Sequence, residues 1–170
     1  APDLVFPLMD LAVEANALGR YTIFPQDDSA TVPKDRFTLA DLERLEGINI
    51  SFDSRLAGYV QMMTMMSVTL PPGILKGGYV VGPFTLAGLM MGADDAVMST
   101  VLEPAQLHRL CHFTTERIQE YVQLLISAGA DVICILEPSA VMLSPDQFSE
   151  FSAVYIRHIT QSFRYSGIGF

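Results

Sequence analysis

The sequence predicts an α/β fold built on a parallel sheet. Two observations predict it. Short apolar runs, each closed by a glycine, a proline or a carboxylate, alternate with longer amphipathic segments, in the order strand, helix, strand, helix, strand, helix, strand-start. Half of the residues are apolar and the mean hydropathy is +0.33, the bias expected of a sheet buried on both faces. A length of 170 residues suits one domain with one sizeable core.

The first run, Leu4 to Asp10, reads as a strand ended by a polar residue, and Leu11 to Leu18 as a short helix stopped by Gly19. Tyr21 to Phe24 reads as an extended excursion and Gln26 to Lys34, with Asp27, Asp28, Ser29 and Pro33, as a loop. Thr38-Leu-Ala-Asp41 resembles a capping box and opens a helix through Leu45 that Gly47 ends. Leu56, Tyr59, Val60, Met63, Met66 and Leu70 recur at steps of three and four, which predicts a helix from Arg55 to Leu70, and Pro71-Pro72-Gly73 forbids its continuation.

Gly77 to Gly82 reads as a buried strand between glycines, after which Pro83-Phe84-Thr85-Leu86 turns into a helix. Further helices are predicted from Asp94 to Leu102 and from Pro104 to Ser127. The second carries a stripe of Leu107, Leu110, Cys111, Ile118, Tyr121, Val122, Leu125 and Ile126, and Gly129 caps it. Asp131 to Leu136 is the next strand, with Glu137-Pro138-Ser139 at its exit. Ser144-Pro145-Asp146-Gln147 starts a helix that carries Phe148, Phe151, Tyr155, Ile159 and Phe163, and Gly167 to Phe170 reads as another strand beginning.

The formal net charge of −9 and ten scattered basic residues argue against a nucleic-acid partner. No apolar run is long enough for a membrane span, since the richest, Val60 to Leu75, is broken by Gln61, Thr64, Ser67 and two prolines. Ala1-Pro2-Asp3 lacks the basic segment of a secretory leader. Cys111 and Cys134 stand in no CxxC pair and read as reduced thiols of a cytoplasmic protein.

Ligands of parallel sheets bind at the carboxyl ends of the strands, which singles out Asp10, the Gly82-Pro83-Phe84-Thr85 turn and Glu137-Pro138-Ser139, with the two carboxylates expected to face one cleft. Asp10 reads equally as a helix cap and as a site residue. Glu137 reads as a solvated loop residue or, after an apolar strand, as a site carboxylate. His108 and Cys111, three apart on a helix, imitate a metal pair, but Cys111 falls on the apolar stripe and no third ligand is evident. Cys134 reads as a small core residue, His158 as a surface residue, and Met62, Met63, Met65, Met66, Met90 and Met91 as core and helix-interface packing.

The string from Gly82 to Gly88, with Met91-Gly92, resembles the second-strand motif of the uroporphyrinogen decarboxylase superfamily. Asp10 with Ala17-Leu18-Gly19 resembles its first unit. Ala128 to Ile133, followed by Glu137-Pro138, Leu143-Ser144-Pro145 and Phe148, resembles its third. The resemblance implies a (β/α)8 barrel of which this chain would be the first three to four βα units, so residues 1–170 are expected to form one partial barrel domain of a longer protein, with unpaired edges prone to self-association.

Within the superfamily the chain is most similar to the methylcobamide:coenzyme M methyltransferases, through Pro7 to Gly19 with Val13-Glu14-Ala15 and through the Glu137-Pro138-Ser139 exit. That resemblance implies transfer of a methyl group from a corrinoid protein or methylcobalamin to a small thiol held as thiolate by zinc. The ligands of the zinc would follow Phe170; Cys111 and Cys134 do not match them. Asp10 and Glu137 would be the catalytic carboxylates, and Gly82, Pro83, Phe84, Thr85 and Ser139 would shape the substrate site.

A decarboxylase of cyclic tetrapyrroles is the alternative the family offers. Asp10 matches the residue that binds pyrrole nitrogens there, whereas Leu89 stands in place of a tyrosine and Pro138 in place of a serine. A non-catalytic corrinoid- or tetrapyrrole-binding module is the third reading.

Overall fold

The computed structural model describes residues 2–8, 10–27, 30–34 and 37–170, so Met9, in the first expected strand, and Asp28 and Ser29, in the first expected loop, lie outside the described residues. Three parallel strands, β1 (Leu4–Val5), β2 (Leu75–Val81) and β3 (Val132–Leu136), lie side by side in chain order. Leu4 pairs with Leu75 across β1–β2, and Gly77 to Val81 pair with Val132 to Leu136 across β2–β3. Gly169 then bridges Val132 in parallel on the far edge of β3, where the sequence predicts a further strand. An order that never reverses is what a closing barrel needs; an open doubly wound sheet has a switch point.

Helices α1 (Val13–Ala17), α2 (Leu39–Leu45) and α3 (Ser54–Thr69) connect β1 to β2, and α4 (Pro83–Met91), α5 (Ala93–Leu102) and α6 (Pro104–Ser127) connect β2 to β3. After β3 the chain enters α7 (Pro145–Phe148), a π turn (Ser149–Ala153) and α8 (Val154–Ser162), where the periodicity predicts one uninterrupted helix. The Ser144 capping box forms as expected, with Ser144 Oγ accepting from Gln147 N and Gln147 Oε1 accepting from Ser144 N. Ile23 and Thr31 form an antiparallel bridge inside the expected loop, and β2 begins two residues ahead of the predicted Gly77.

Alternation along β2 sends Gly78 and Val80 toward the helices. A Cβ on Gly78 would touch Leu125, Ile133 and Met63, so glycine lets α3 and α6 approach the sheet. Gly77 and Tyr79 point to the opposite face, where Phe6 covers Gly77 and stacks on Tyr79 with ring centres 4.4 Å apart. The α6 stripe packs inward as predicted, with Leu107, Leu110, Cys111, Ile118, Tyr121, Val122 and Leu125 all buried.

Two expectations of burial fail. Cys134 is half-exposed, because its face of β3 is the one a barrel interior would cover, while its neighbour Ile133 turns to the helices and is buried. Of the α3 methionines only Met63 is in the core. Met62, about 100° round the helix from Met63, and Met65, about 160° round from it and so nearly on the opposite face, are exposed.

Candidate active site at the carboxyl ends of the strands

Asp10 follows β1 and is mostly buried. Its Oδ1 accepts the Ala12 amide at 2.8 Å and its Oδ2 is ion-paired with Arg55, at the start of α3. Arg55 also donates to Asn16 Oδ1 at 3.0 Å and lies over the Phe24 ring at 4.4 Å, so one guanidinium ties the end of β1, α1 and the following excursion together. Arg55 is held in place because Asp53 caps α3, accepting from the amides of Arg55 and Leu56 at 3.0 and 2.8 Å. Of the two readings of Asp10 the structure realises the cap: its carboxylate closes the turn into α1, and it also walls a small cavity. That cavity, about 10 Å³ and the size of one water, is lined by Pro7, Leu8, Asp10, Tyr59, Tyr79 and Tyr121, among others.

Glu137 leaves β3 and turns onto the start of α4. Its Oε1 accepts the Thr85 amide at 2.5 Å, and its Oε2 accepts the Phe84 amide and the Ser152 hydroxyl, each at 3.2 Å. Gly82, the residue before α4, has no side chain to cap the helix, and a Cβ there would collide with this carboxyl. Glu137 is therefore an N-cap supplied from 52 residues away for Thr85, and its charge sits at the positive end of the α4 dipole. Burial pushes its carboxyl above the ordinary range against the pull of Thr85, Phe84 and Ser152.

The Thr85 hydroxyl in turn accepts the Ser139 amide at 3.1 Å. Gly82, Pro83, Phe84, Thr85, Glu137 and Ser139 thus form one joined turn-on-turn structure. Pro83, Phe84 and Thr85 are buried, and Thr114 of α6 donates to the Pro83 carbonyl at 3.0 Å. Glu137 is not among the walls of the cavity that Asp10 lines. The two carboxylates that the sequence sets at strand ends do different work there, one paired with a cation and one with amides.

Glu14 is the residue that sequence reasoning passed over as chemistry. It is 1% exposed, and its Oε1 accepts the Val81 amide at 2.8 Å. Burial pushes its carboxyl from 4.5 to about 7, against the lowering effect of the Val81 and Glu14 amides. The signal was a lone acid among Leu11, Ala12, Val13, Ala15 and Ala17.

His108 and Cys111 do not form a metal pair. The His108 ring meets the Tyr155 hydroxyl at 2.7 Å and Glu150 Oε1 at 3.2 Å, stacked on Phe151, whereas the buried Cys111 faces the Phe151 carbonyl. Burial, with the nearby Glu137 charge, pushes the Cys111 thiol far up, away from thiolate. Among the described residues no group of three His, Cys, Asp or Glu side chains is placed to hold a metal ion. Among the same residues no helix is long and apolar enough to cross a membrane.

The family model for uroporphyrinogen decarboxylase (URO-D) matches residues 1–168. The chain belongs to the uroporphyrinogen decarboxylase family. It is similar to the uroporphyrinogen decarboxylase of Thermodesulfovibrio yellowstonii, 25% identical over 168 residues that are 95% of this chain and 48% of the relative. It is also similar to that of Ovis aries, 26% identical over 94% of this chain and 45% of the relative. The chloroplastic enzyme of Zea mays is 33% identical over 93 residues, 51% of this chain and 24% of that one.

Among solved structures, a methyltransferase from Methanosarcina mazei superposes with a TM-score of 0.79 at 20% identity, covering 94% of this chain and 48% of that one. The shared fold is that of the superfamily. This family member spans about half the length of the curated relatives it matches, and its three parallel strands are the corresponding part of a barrel.

Proposed function

We propose that the protein containing this chain moves a methyl group from a methylated corrinoid to a small thiol such as coenzyme M. The observation that carries this choice over decarboxylation is the surface of α4. Thr85 is the only hydroxyl between Pro83 and Met91, and it is engaged with Ser139; Leu89, half-buried, stands where the resemblance sets the decarboxylases' tyrosine. Asp10 supports the same reading. Both its oxygens already have partners, Ala12 N and Arg55, which leaves it less available to gather pyrrole N–H groups.

In this reading Asp10 borders the methyl-transfer site as part of an ion pair, and Glu137 acts by fixing the Gly82–Thr85 turn and Ser139 rather than by touching the thiol. Zinc, which lowers a thiol's pKa, would be held by residues that follow Phe170.

Curated relatives named as uroporphyrinogen decarboxylases, together with Asp10 at the matching place, favour tetrapyrrole decarboxylation as the second reading. The deciding experiment incubates the full-length protein with methylcobalamin and coenzyme M and follows loss of the methylcobalamin absorbance. Thiol-dependent demethylation is expected. No demethylation together with carbon dioxide release from uroporphyrinogen would replace this reading by the second, and corrinoid binding without turnover would leave a binding module. Asp10→Asn, which breaks the ion pair at constant size, is expected to lower kcat/KM about tenfold, the equivalent of ~1.4 kcal/mol. The 170-residue chain by itself is expected to self-associate through its uncovered sheet face, a behaviour that light scattering would reveal.

A further inference from the structure

Glu14 occupies the second position of α1, and its carboxyl is buried by this chain alone. Amides alternate sides along β2. Gly82 N–H donates to Leu136 O of β3, so Val81 N–H faces the β1 side, where regular pairing has already ended at Val5. Glu14 Oε1 accepts that amide and so supplies the acceptor that a longer β1 would have supplied. The other oxygen, Oε2, is buried and has no hydrogen-bond partner among the described residues.

Among the described residues the cations beside α1 are turned elsewhere: Arg20, three residues after it, lies over the Phe37 ring, and none is hydrogen-bonded to Glu14. From α3 come Arg55, turned to Asp10 and Asn16, and the Tyr59 phenol. From α6 comes Tyr121, whose hydroxyl burial pushes up most strongly and the Glu14 charge further. The α4 sequence and the turn Ile50–Phe52 contain no ionisable side chain, and Asp53, which follows that turn, is committed to capping α3. An ionised carboxylate with one oxygen buried and unpartnered is strongly disfavoured, whereas the neutral acid keeps its bond to Val81 at a much smaller desolvation cost.

We propose that Glu14 is a proton-dependent latch: its neutral carboxyl holds α1, and with α1 the Asp10 turn, against the end of β2, and loss of the proton releases that unit. The proton leaves to water, and the carboxylate follows it by lifting α1, since its Oε2 has no hydrogen-bond partner among the described residues. Because the carboxyl is displaced from 4.5 to about 7, the latch works across the neutral range. Glu14 is a positioning residue for Asp10, and its consequence for chemistry rests on the placing of Asp10 at the methyl-transfer site; the latch itself is read without any ligand.

The test is amide hydrogen exchange on the full-length protein between pH 5 and pH 8, corrected for the intrinsic rates, at Val81 and in α1, for wild type and Glu14→Gln. Wild type is expected to lose protection at these amides by about 70-fold over that range, the ratio implied by a displacement of the carboxyl from 4.5 to about 7. Glu14→Gln, which keeps the acceptor for Val81 and cannot ionise, is expected to show a flat profile. A flat wild-type profile, or an equal loss in Glu14→Gln, overturns the latch. Should the variant fail to fold, the carboxyl-carbon NMR titration of Glu14 in wild type decides: a midpoint near 7 supports the latch and one near 4.5 overturns it. Failure of methyl transfer with a pH-dependent Val81 amide would sink the functional reading and leave the latch standing.

Discussion

The first βα unit and the second hold their strand ends by different means. The second has a seven-residue strand, paired over five residues with β3, and a nine-residue helix that starts directly from it. The first has a two-residue strand and a five-residue helix, and it is fastened by side chains instead: Asp10 to Arg55 and Glu14 to the Val81 amide. Carboxylates serve both units, but with different exposure to solution conditions. Glu137 sits on a helix dipole with three donors, so it reinforces structure that the backbone already makes. Glu14 and Asp10 replace backbone pairing that is missing, so the first unit inherits the pH and salt sensitivity of its ionisable groups.

The sharpest way to break this contrast is Glu137→Ala, which strips the acceptor from two α4 amides and the Ser152 hydroxyl and is expected to cost about 3 kcal/mol. Urea unfolding of the full-length protein measures it, and a loss under ~0.5 kcal/mol would refute the cross-chain cap. Next comes Glu14→Gln. The folded carboxyl lies near 7 and the unfolded one near 4.5, so the folded state binds the extra proton. The stabilisation that proton gives is full below 4.5 and is lost as pH rises through about 7. Relative to wild type the variant is expected to gain about 2 kcal/mol at pH 8 and little at pH 4.5, with ~3 kcal/mol as the ceiling set by the displacement. Equal urea midpoints at pH 8 would contradict it. The smallest effect belongs to Arg55→Met, expected to cost about 1 kcal/mol in low salt and less as salt is added, since the pair is partly exposed. A loss unchanged by salt would mean that Arg55 acts through packing on Phe24 alone.

Much of this was legible in the sequence, because periodicity reports burial directly. The α6 stripe from Leu107 to Leu125, the Ser144 box and the Gly82–Pro83 helix start all appear where their residue types demand. The three strand ends were also visible, since an apolar run closed by Asp10, Gly82 or Glu137 marks the edge of a sheet.

What stayed hidden depends on contacts far apart in the chain. The partner of Glu137 is 52 residues upstream in Thr85, that of Glu14 is 67 residues downstream in Val81, and that of Asp10 is Arg55. Nothing local distinguishes an acid aimed at solvent from one aimed at a distant amide. Cys134 and Met65 were misplaced for a related reason: hydrophobic pattern says which residues share a face, and the face itself is covered or left open by other segments.

The π turn at Ser149–Ala153 reconciles two angular demands on one rod. Ahead of it, the Ser144 box fixes where the helix begins. Within it, Ser152 must look at Glu137; beyond it, Tyr155 must meet His108 and Ser162 must meet Gln119. A uniform α-helix advances each residue by about 100°, and a π turn, with more residues per turn, shifts the phase of everything that follows it. The wider turn acts as a phase adjuster, so deleting a single residue there would shorten the chain by little and yet swing every later contact of α8 away from α6.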